Sequence, residues 1–214
     1  MESVESYFKF FIAMIAIVNP IGAVPVFLNA CSGQSMKEKK KSVKITAFTV
    51  FTVLLISLIS GDIILRMFGI SMASFRVAGG VLILLMAMSM LQARVSGAKQ
   101  TKEEAEMLEA NPKENISVVP LGIPFMAGPG SISTVILYAQ KYETIIHYTI
   151  LFWLIVSISL TSWLILRIAP AIAARLGQTG INIVTRIMGL LTASIGIEFI
   201  ANGLKMLFPV LGSI

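Results

Sequence analysis

Three stretches of this sequence place chemically capable residues inside apolar surroundings. The first is Asn19-Pro20-Ile21-Gly22-Ala23-Val24-Pro25, at the centre of an apolar run. Proline lacks a backbone N–H, and its ring clashes with the carbonyl one turn earlier. Two prolines and a glycine within seven residues free several carbonyls and amides from helical pairing. The second stretch is Pro120-Leu121-Gly122-Ile123-Pro124-Phe125-Met126-Ala127-Gly128-Pro129-Gly130-Ser131. Gly128 and Gly130 let a ligand approach the backbone closely, and Pro129 suits the first position of a new helix segment. Residues from Gly130 onward would then offer free N–H groups and a positive dipole end, joined by hydroxyls from Ser131, Ser133 and Thr134. That combination can seat a carboxylate. The blander account of both stretches is a proline kink used for packing.

The third stretch centres on Glu198, near the midpoint of the last apolar run. A carboxylate inside a membrane is costly and marks a functional site by default. Steps of four put Ser194, Glu198 and Asn202 on one helical face, with Lys205 one turn on. Such a stripe could carry a coupling proton or ion. The competing account is a structural ion pair with Arg186, Arg76 or Lys205. Gly189, Ala193, Gly196 and Gly203 form a separate small-residue face, suited to close helix packing. Arg76 and Arg186 suit snorkelling anchors, Asp62 can pair with Arg66 at i,i+4, and His147 falls at a helix edge near the interface.

The elements that must hold these groups are membrane helices. Of the 214 residues, 56% are hydrophobic and 13% charged, with a mean hydropathy of +0.87. Soluble domains carry about 25% charged residues, so a bilayer is the solvent that fits. Six apolar runs, at about 8–30, 45–67, 73–93, 117–140, 146–169 and 184–207, each supply the roughly 20 residues that cross a core of about 30 Å. The fold class expected is all-α and polytopic, with helices 1 and 4 broken. The acidic start, Met1-Glu2-Ser3-Val4-Glu5-Ser6, is unlike a cleaved signal peptide, so the first run is expected to be retained. One cysteine, Cys31, and one histidine, His147, argue against a disulfide, a metal site or a His cluster. No Ser/His/Asp, Cys/His, Walker A or HExxH pattern is present, so neither an enzyme nor a cofactor is expected.

The net charge of +6 does not call for nucleic acid, because the basic residues sit between apolar runs. The odd-numbered loops hold 12 of the 17 Lys and Arg, including Lys37, Lys39, Lys40, Lys41 and Lys44 in the first. Lys and Arg accumulate on the cytoplasmic side, which places the odd loops inside and both termini outside.

The halves repeat weakly. Pro20 and Pro129 are 109 residues apart, and Arg76-Val77-Ala78-Gly79 answers Arg186-Ile187-Met188-Gly189 at 110. Gly69-Ile70-Ser71 and Gly180-Ile181-Asn182 precede the two arginines. Three spans per copy turn the second copy over. That is the inverted-repeat plan of many secondary transporters, with substrate on broken helices at the midplane. The expected units are residues 1–93, a polar cytoplasmic linker at 94–116, and residues 117–214.

Asn19-Pro20-Ile21-Gly22-Ala23-Val24-Pro25-Val26-Phe27 resembles the N-terminal signature of the MarC family, and the stretch from Pro120 through Ile132 resembles its second signature. Gln178-Thr179-Gly180-Ile181-Asn182, Arg186-Ile187-Met188-Gly189-Leu190-Leu191 and Gly196-Ile197-Glu198-Phe199-Ile200 are similar to its bacterial YchE branch. The resemblance covers nearly the whole chain. It implies a bacterial inner-membrane protein of six spans. It also implies transport of small neutral amino acids such as glycine, alanine, serine or threonine, as in the members called SnatA. Ser131 departs from the alanine frequent in that pattern. The combined expectation is a secondary transporter, with export coupled to protons or sodium the direction favoured. Asn19, Pro20, Gly22, Pro25, Gly128, Pro129, Gly130, Ser131 and Ser133 would bind solute, and Glu198, Ser194 and Asn202 would couple ions. Partners expected are small neutral amino acids and the lipid bilayer, with homo-oligomerisation left open. A passive channel or a structural membrane protein is the alternative.

The charge bias yields a first prediction. A reporter active only in the cytoplasm should be silent when fused at Ile214 and active when fused within residues 94–116. The reverse pattern would overturn the orientation.

Overall fold

The computed structural model describes residues 4–31, 34–92, 126–142 and 144–212. The expected linker at 94–116 and the first part of the fourth run, including Pro120, Gly122 and Pro124, lie outside them. All regular structure among the described residues is helical: α1 (Val4–Val18), α2 (Ala23–Ala30), α3 (Met36–Met67), α4 (Met72–Leu91), α5 (Pro129–Ala139), α6 (Ile145–Arg167) and α7 (Ala169–Leu207), then a 3-10 turn at Pro209–Gly212. α3, α4, α6 and α7 are long and apolar enough to cross a bilayer, and α5 is a shorter apolar helix. The first run is divided into α1 and α2, as its prolines predict.

Local chemistry sets the helix ends. Ser35 and Glu38 form a reciprocal capping box at the start of α3: the Ser35 amide donates to Glu38 Oε2 at 2.7 Å, and the Glu38 amide to Ser35 Oγ at 3.4 Å. The helix therefore starts at Met36 rather than near residue 45. Its 32 residues span about 48 Å, so the lysine-rich first turns extend beyond the hydrocarbon. At the other end Gly69, with φ 64°, lets the Ile70 amide reach the Leu65 carbonyl at 2.9 Å and the Gly69 amide reach that of Arg66 at 3.1 Å, the pairing of a Schellman stop. Ser71 then caps α4.

The corresponding signal in the second half works differently. Residues 180–182 are helical, and the break in α7 falls at Gly177, with φ 58° and ψ 178°. Gln178 donates from Nε2 to Asn182 Oδ1 at 3.1 Å, an i,i+4 bond that supports helix through this polar segment. Hydropathy located the membrane span from residue 184, whereas the helix begins fifteen residues earlier, at Ala169.

α5 is the central element: eight of its eleven residues are buried, against α1, α3 and α4. Phe10 and Met14 of α1, Leu54 of α3 and Leu151 and Ile155 of α6 form a fully buried core around its outer half. Large apolar side chains such as Phe48, Ile59, Trp153, Leu160 and Ile197 are exposed, as a lipid-facing exterior requires.

α4 and α7 pack on glycine. A Cβ at Gly80 would lie 2.7 Å from the Gly196 carbonyl oxygen, and one at Gly196 would lie 2.9 Å from that of Gly80. Gly189 meets the Ala87 carbonyl and Gly203 that of Ala73. The partners descend on α4 as the numbers rise on α7, so the helices are antiparallel. The expected small-residue face is therefore the packing face. Gly196→Leu should force the helices apart and cost about 2 kcal/mol of stability, read as a lower unfolding temperature in detergent. Ile197→Ala, one residue away on the exposed side, should shift stability by less than about 0.5 kcal/mol. Equal effects would refute this packing.

Candidate functional site

The first break is built by Asn19. It has φ 43°, the one positive φ outside glycine among the described residues. Asparagine tolerates that region better than other side chains do. Its Oδ1 accepts the Gly22 amide at 3.1 Å, and its own carbonyl accepts the Ala23 amide at 3.2 Å. Gly22 must be glycine here, because a Cβ would lie 2.1 Å from Asn19 Nδ2. Pro20 has no N–H for the Ala16 carbonyl, and the Gly22 amide has left that of Val18. Both carbonyls thus lose their helical donors. Pro25 lies in the first turn of α2, where its missing N–H interrupts no helical bond. Asn19, Pro20 and Gly22 are buried and Pro25 is half-buried.

The second break starts α5. Pro129 occupies its first turn and Gly128 is the N-cap, without a side-chain capping bond. The Ser131 hydroxyl donates to the Gly128 carbonyl at 2.9 Å and that of Thr134 donates to the Gly130 carbonyl at 2.8 Å. These hydroxyl protons are committed to the backbone, while the amides of Gly130 and Ser131 take no partner among the described residues. A Cβ at Gly130 would lie 3.0 Å from both Ile83 and Met86 of α4 and 3.5 Å from Ile17. Ile17 is two residues ahead of Asn19, so the two breaks lie side by side. Ser133 is buried against Gly79 of α4. Gly128, Gly130 and Ser131 are buried, and Pro129 is exposed.

Glu198 faces a different space. Its Oε1 accepts from Asn202 Nδ2 at 2.7 Å, which realises the expected stripe, while the Ser194 hydroxyl donates to the Leu190 carbonyl at 3.1 Å. No salt bridge holds Glu198 among the described residues. With Ser194 it lines a crevice of about 430 Å³ between α1 and α7, whose α1 wall runs from Lys9 to Ala16. Ala16 owns one of the carbonyls freed by the break, so the crevice ends beside the unwound backbone. Lys9 lies at the other end and pairs with Glu5 at 2.6 Å. The Lys9 hydrogen bond and charge hold the Glu5 carboxyl below its usual range.

Lys9 was legible only as a topology charge, because sequence does not show that α1 and α7 run side by side. His147 lies in the first turn of α6, at the helix edge expected for it. It is 1% exposed, with Nε2 2.8 Å from the Tyr138 carbonyl and Nδ1 2.8 Å from the Tyr7 hydroxyl. A carbonyl only accepts, so Nε2 carries a proton and donates to it. The rings of Tyr7, Tyr142 and Tyr148 surround it. With Tyr138, all four tyrosines of the chain therefore enclose its one histidine and tie α1, α5 and α6 together. Thr192 was overlooked. Its buried hydroxyl has no partner among the described residues. Asp62 pairs with Arg66 at 2.7 Å as expected, and also accepts from Gln140 at the end of α5.

Membrane-length helices, an apolar exterior and helix breaks buried within the bundle define a polytopic α-helical integral membrane protein. The chain belongs to the MarC family of integral membrane proteins, whose model matches residues 4–208. It is similar to the UPF0056 membrane protein YhcE of Escherichia coli (strain K12), at 45% identity over 95% of this chain and 94% of that protein. It is also similar to the UPF0056 membrane protein YvbG of Bacillus subtilis (strain 168), at 37% identity over 95% and 96%. A UPF0056 membrane protein of Pyrococcus horikoshii is 35% identical over 98% of this chain and its own full length. No solved structure matches the chain.

Asn19 separates two contributions to the first break. Asn19→Gly should cost about 1 kcal/mol for the lost side-chain acceptor. Asn19→Ala should lose that bond and also about 1 kcal/mol more for a Cβ in the left-handed region. Unfolding of the purified variants should rank wild type, glycine, alanine in falling stability. An alanine variant as stable as the glycine one would refute strain at this residue.

Proposed function

We propose that the protein is a secondary transporter of small neutral amino acids, such as glycine, alanine, serine and threonine, in a bacterial inner membrane. The observation that carries this reading is the helix start at Pro129, where the buried residues Gly130 and Ser131 present amides that take no partner among the described residues. A carboxylate is the natural ligand of such amides. Their neighbours Ile17, Ile83 and Met86 leave little room for a large side chain, which favours small solutes. The carbonyls of Ala16 and Val18 can receive the solute's ammonium group. The crevice from Lys9 to Ala16 gives a lateral approach with a cation and a carboxylate along its walls, suited to a zwitterion. Glu198 is the proton-coupling group, with Asn202 and Ser194 on its stripe.

The architecture proposed is six spans in two inverted three-helix repeats, with both termini periplasmic and 94–116 as the cytoplasmic linker. The packing of α4 on α7 and of α3 on α6 supports it, since these are the counterparts that the repeat pairs. No catalytic step is assigned. A passive channel or a structural protein without flux remains the rival reading.

Flux of radiolabelled glycine, alanine and threonine into proteoliposomes, with and without proton and sodium gradients, tests the reading. Transport should saturate and the three solutes should compete. Flux without competition would favour a channel, and no flux would favour a structural role. Pro129→Ala combined with Gly130→Ala should abolish transport while membrane insertion stays normal. Glu198→Gln should keep solute exchange but lose dependence on the pH gradient. Unchanged pH-driven flux in that variant would remove Glu198 from the coupling step.

A further inference from the structure

A second crevice lies at the lysine-rich end of the bundle, away from both helix breaks and Glu198. Its volume is about 630 Å³, between α2, the start of α3 and the junction of α6 with α7. Lys39, Lys40, Lys44 and Arg167 line it, and among the described residues no acidic side chain does. The helix explains the lysines' alignment. Met36, Lys39, Lys40, Val43 and Lys44 follow the i, i+3, i+4, i+7, i+8 pattern of one helical face, so the capping box that fixes the start of α3 also fixes which lysines face the crevice. The same box removes the nearest acid, because Glu38 is turned back onto the Ser35 amide. The Arg167 guanidinium stacks over the Trp163 ring, 4.9 Å from its centroid, and this holds its charge at the rim.

The remaining walls are apolar, with Phe27, Leu28, Trp163 and Leu166 below the cations. A free anion would satisfy the lysines and leave that apolar wall uncovered. A ligand with a phosphate at one end and hydrocarbon at the other covers both. The place is also right for one, because this is where the spanning parts of α3 and α6 end and the charged turns begin. We infer that this crevice is a binding site for an anionic phospholipid, its headgroup phosphate held by Lys39, Lys40, Lys44 and Arg167 and its acyl chains laid along the half-buried Leu28 and Trp163. Basic pockets between membrane helices take anionic headgroups by this chemistry. The site does not depend on the transport reading.

The test uses the full-length protein in neutral detergent, with phosphatidylglycerol or phosphatidylcholine of identical acyl chains added. Lipid retention is read by native mass spectrometry and stability by the unfolding temperature. Phosphatidylglycerol should be retained about tenfold better and should raise the unfolding temperature. Lys39→Gln, Lys40→Gln and Lys44→Gln combined should erase the preference. The corresponding three Lys→Arg changes should keep it, as should Lys205→Gln outside the crevice. If the triple glutamine variant does not fold, Lys40→Gln alone should still reduce the preference. Equal retention of the two lipids would overturn the proposal. So would a preference untouched by the glutamine variants, or stabilisation by inorganic phosphate equal to that by phosphatidylglycerol.

Discussion

A backbone amide or carbonyl inside hydrocarbon has no water to fall back on, and this constraint organises the rest of the molecule. A helix may be interrupted at membrane depth only where protein or a polar cavity receives the freed groups. The chain does this twice. At the first break Asn19 acts as a substitute for the helix, giving Gly22 an acceptor from its side chain and bending the backbone through the left-handed region. At the second, Ser131 and Thr134 turn their hydroxyls onto the carbonyls of the first turn of α5. The remaining elements bury most of both breaks, though Pro129 is exposed. α5 is buried by α1, α3 and α4, and its far end is fixed by His147 and by Gln140 on Asp62.

Close packing of α4 on α7 follows from the same need. A helix that presents a broken neighbour with a smooth wall must itself be held without polar glue. Glycine achieves this by letting the backbones touch: Gly80 and Gly196 face each other's carbonyls. With one face of α7 given over to that contact, its other faces are free to carry Glu198 and Asn202. The polar stripe is accessible because the packing stripe lies elsewhere on the helix. An ion pair was one sequence-based account of Glu198. Its hydrogen bond to Asn202 within the same helix ties it to no other element, so a change in its protonation need not break the bundle.

Sequence showed what is local and missed what is tertiary. Proline and glycine act through their own backbone, so the division of the first run and the helix start at Pro129 could be located to the residue. Membrane-length runs and the small-residue face of α7 were visible for similar reasons, since composition and helical period require no knowledge of neighbours. Helix limits were less legible. Hydropathy marks where a helix meets lipid, whereas the capping box at Ser35 and the Gln178–Asn182 bond carry helix into polar sequence. Gly177 and Gly180 look alike in sequence, and only the backbone shows which takes the positive φ. The surroundings of His147 and Lys9 were not legible because their partners are distant: Tyr7 is 140 residues from His147, and Lys9 shares its crevice with Glu198.

The two crevices differ in their charges, and the difference bears on what each can hold. The one beside α1 has a cation and a carboxylate along a short wall of small residues, Ala13, Ala16 and Ser194. Opposite charges on one crevice suit a ligand that carries both. The crevice at the base of α3 has four cations and, among the described residues, no acid, beside aromatic and branched apolar walls. It suits a ligand that is anionic, long and resident. On the proposed reading, a transported solute must bind weakly enough to leave, whereas a lipid fixing α2, α3 and α6 at one interface gains from staying, and the difference in charge balance between the two crevices fits that division.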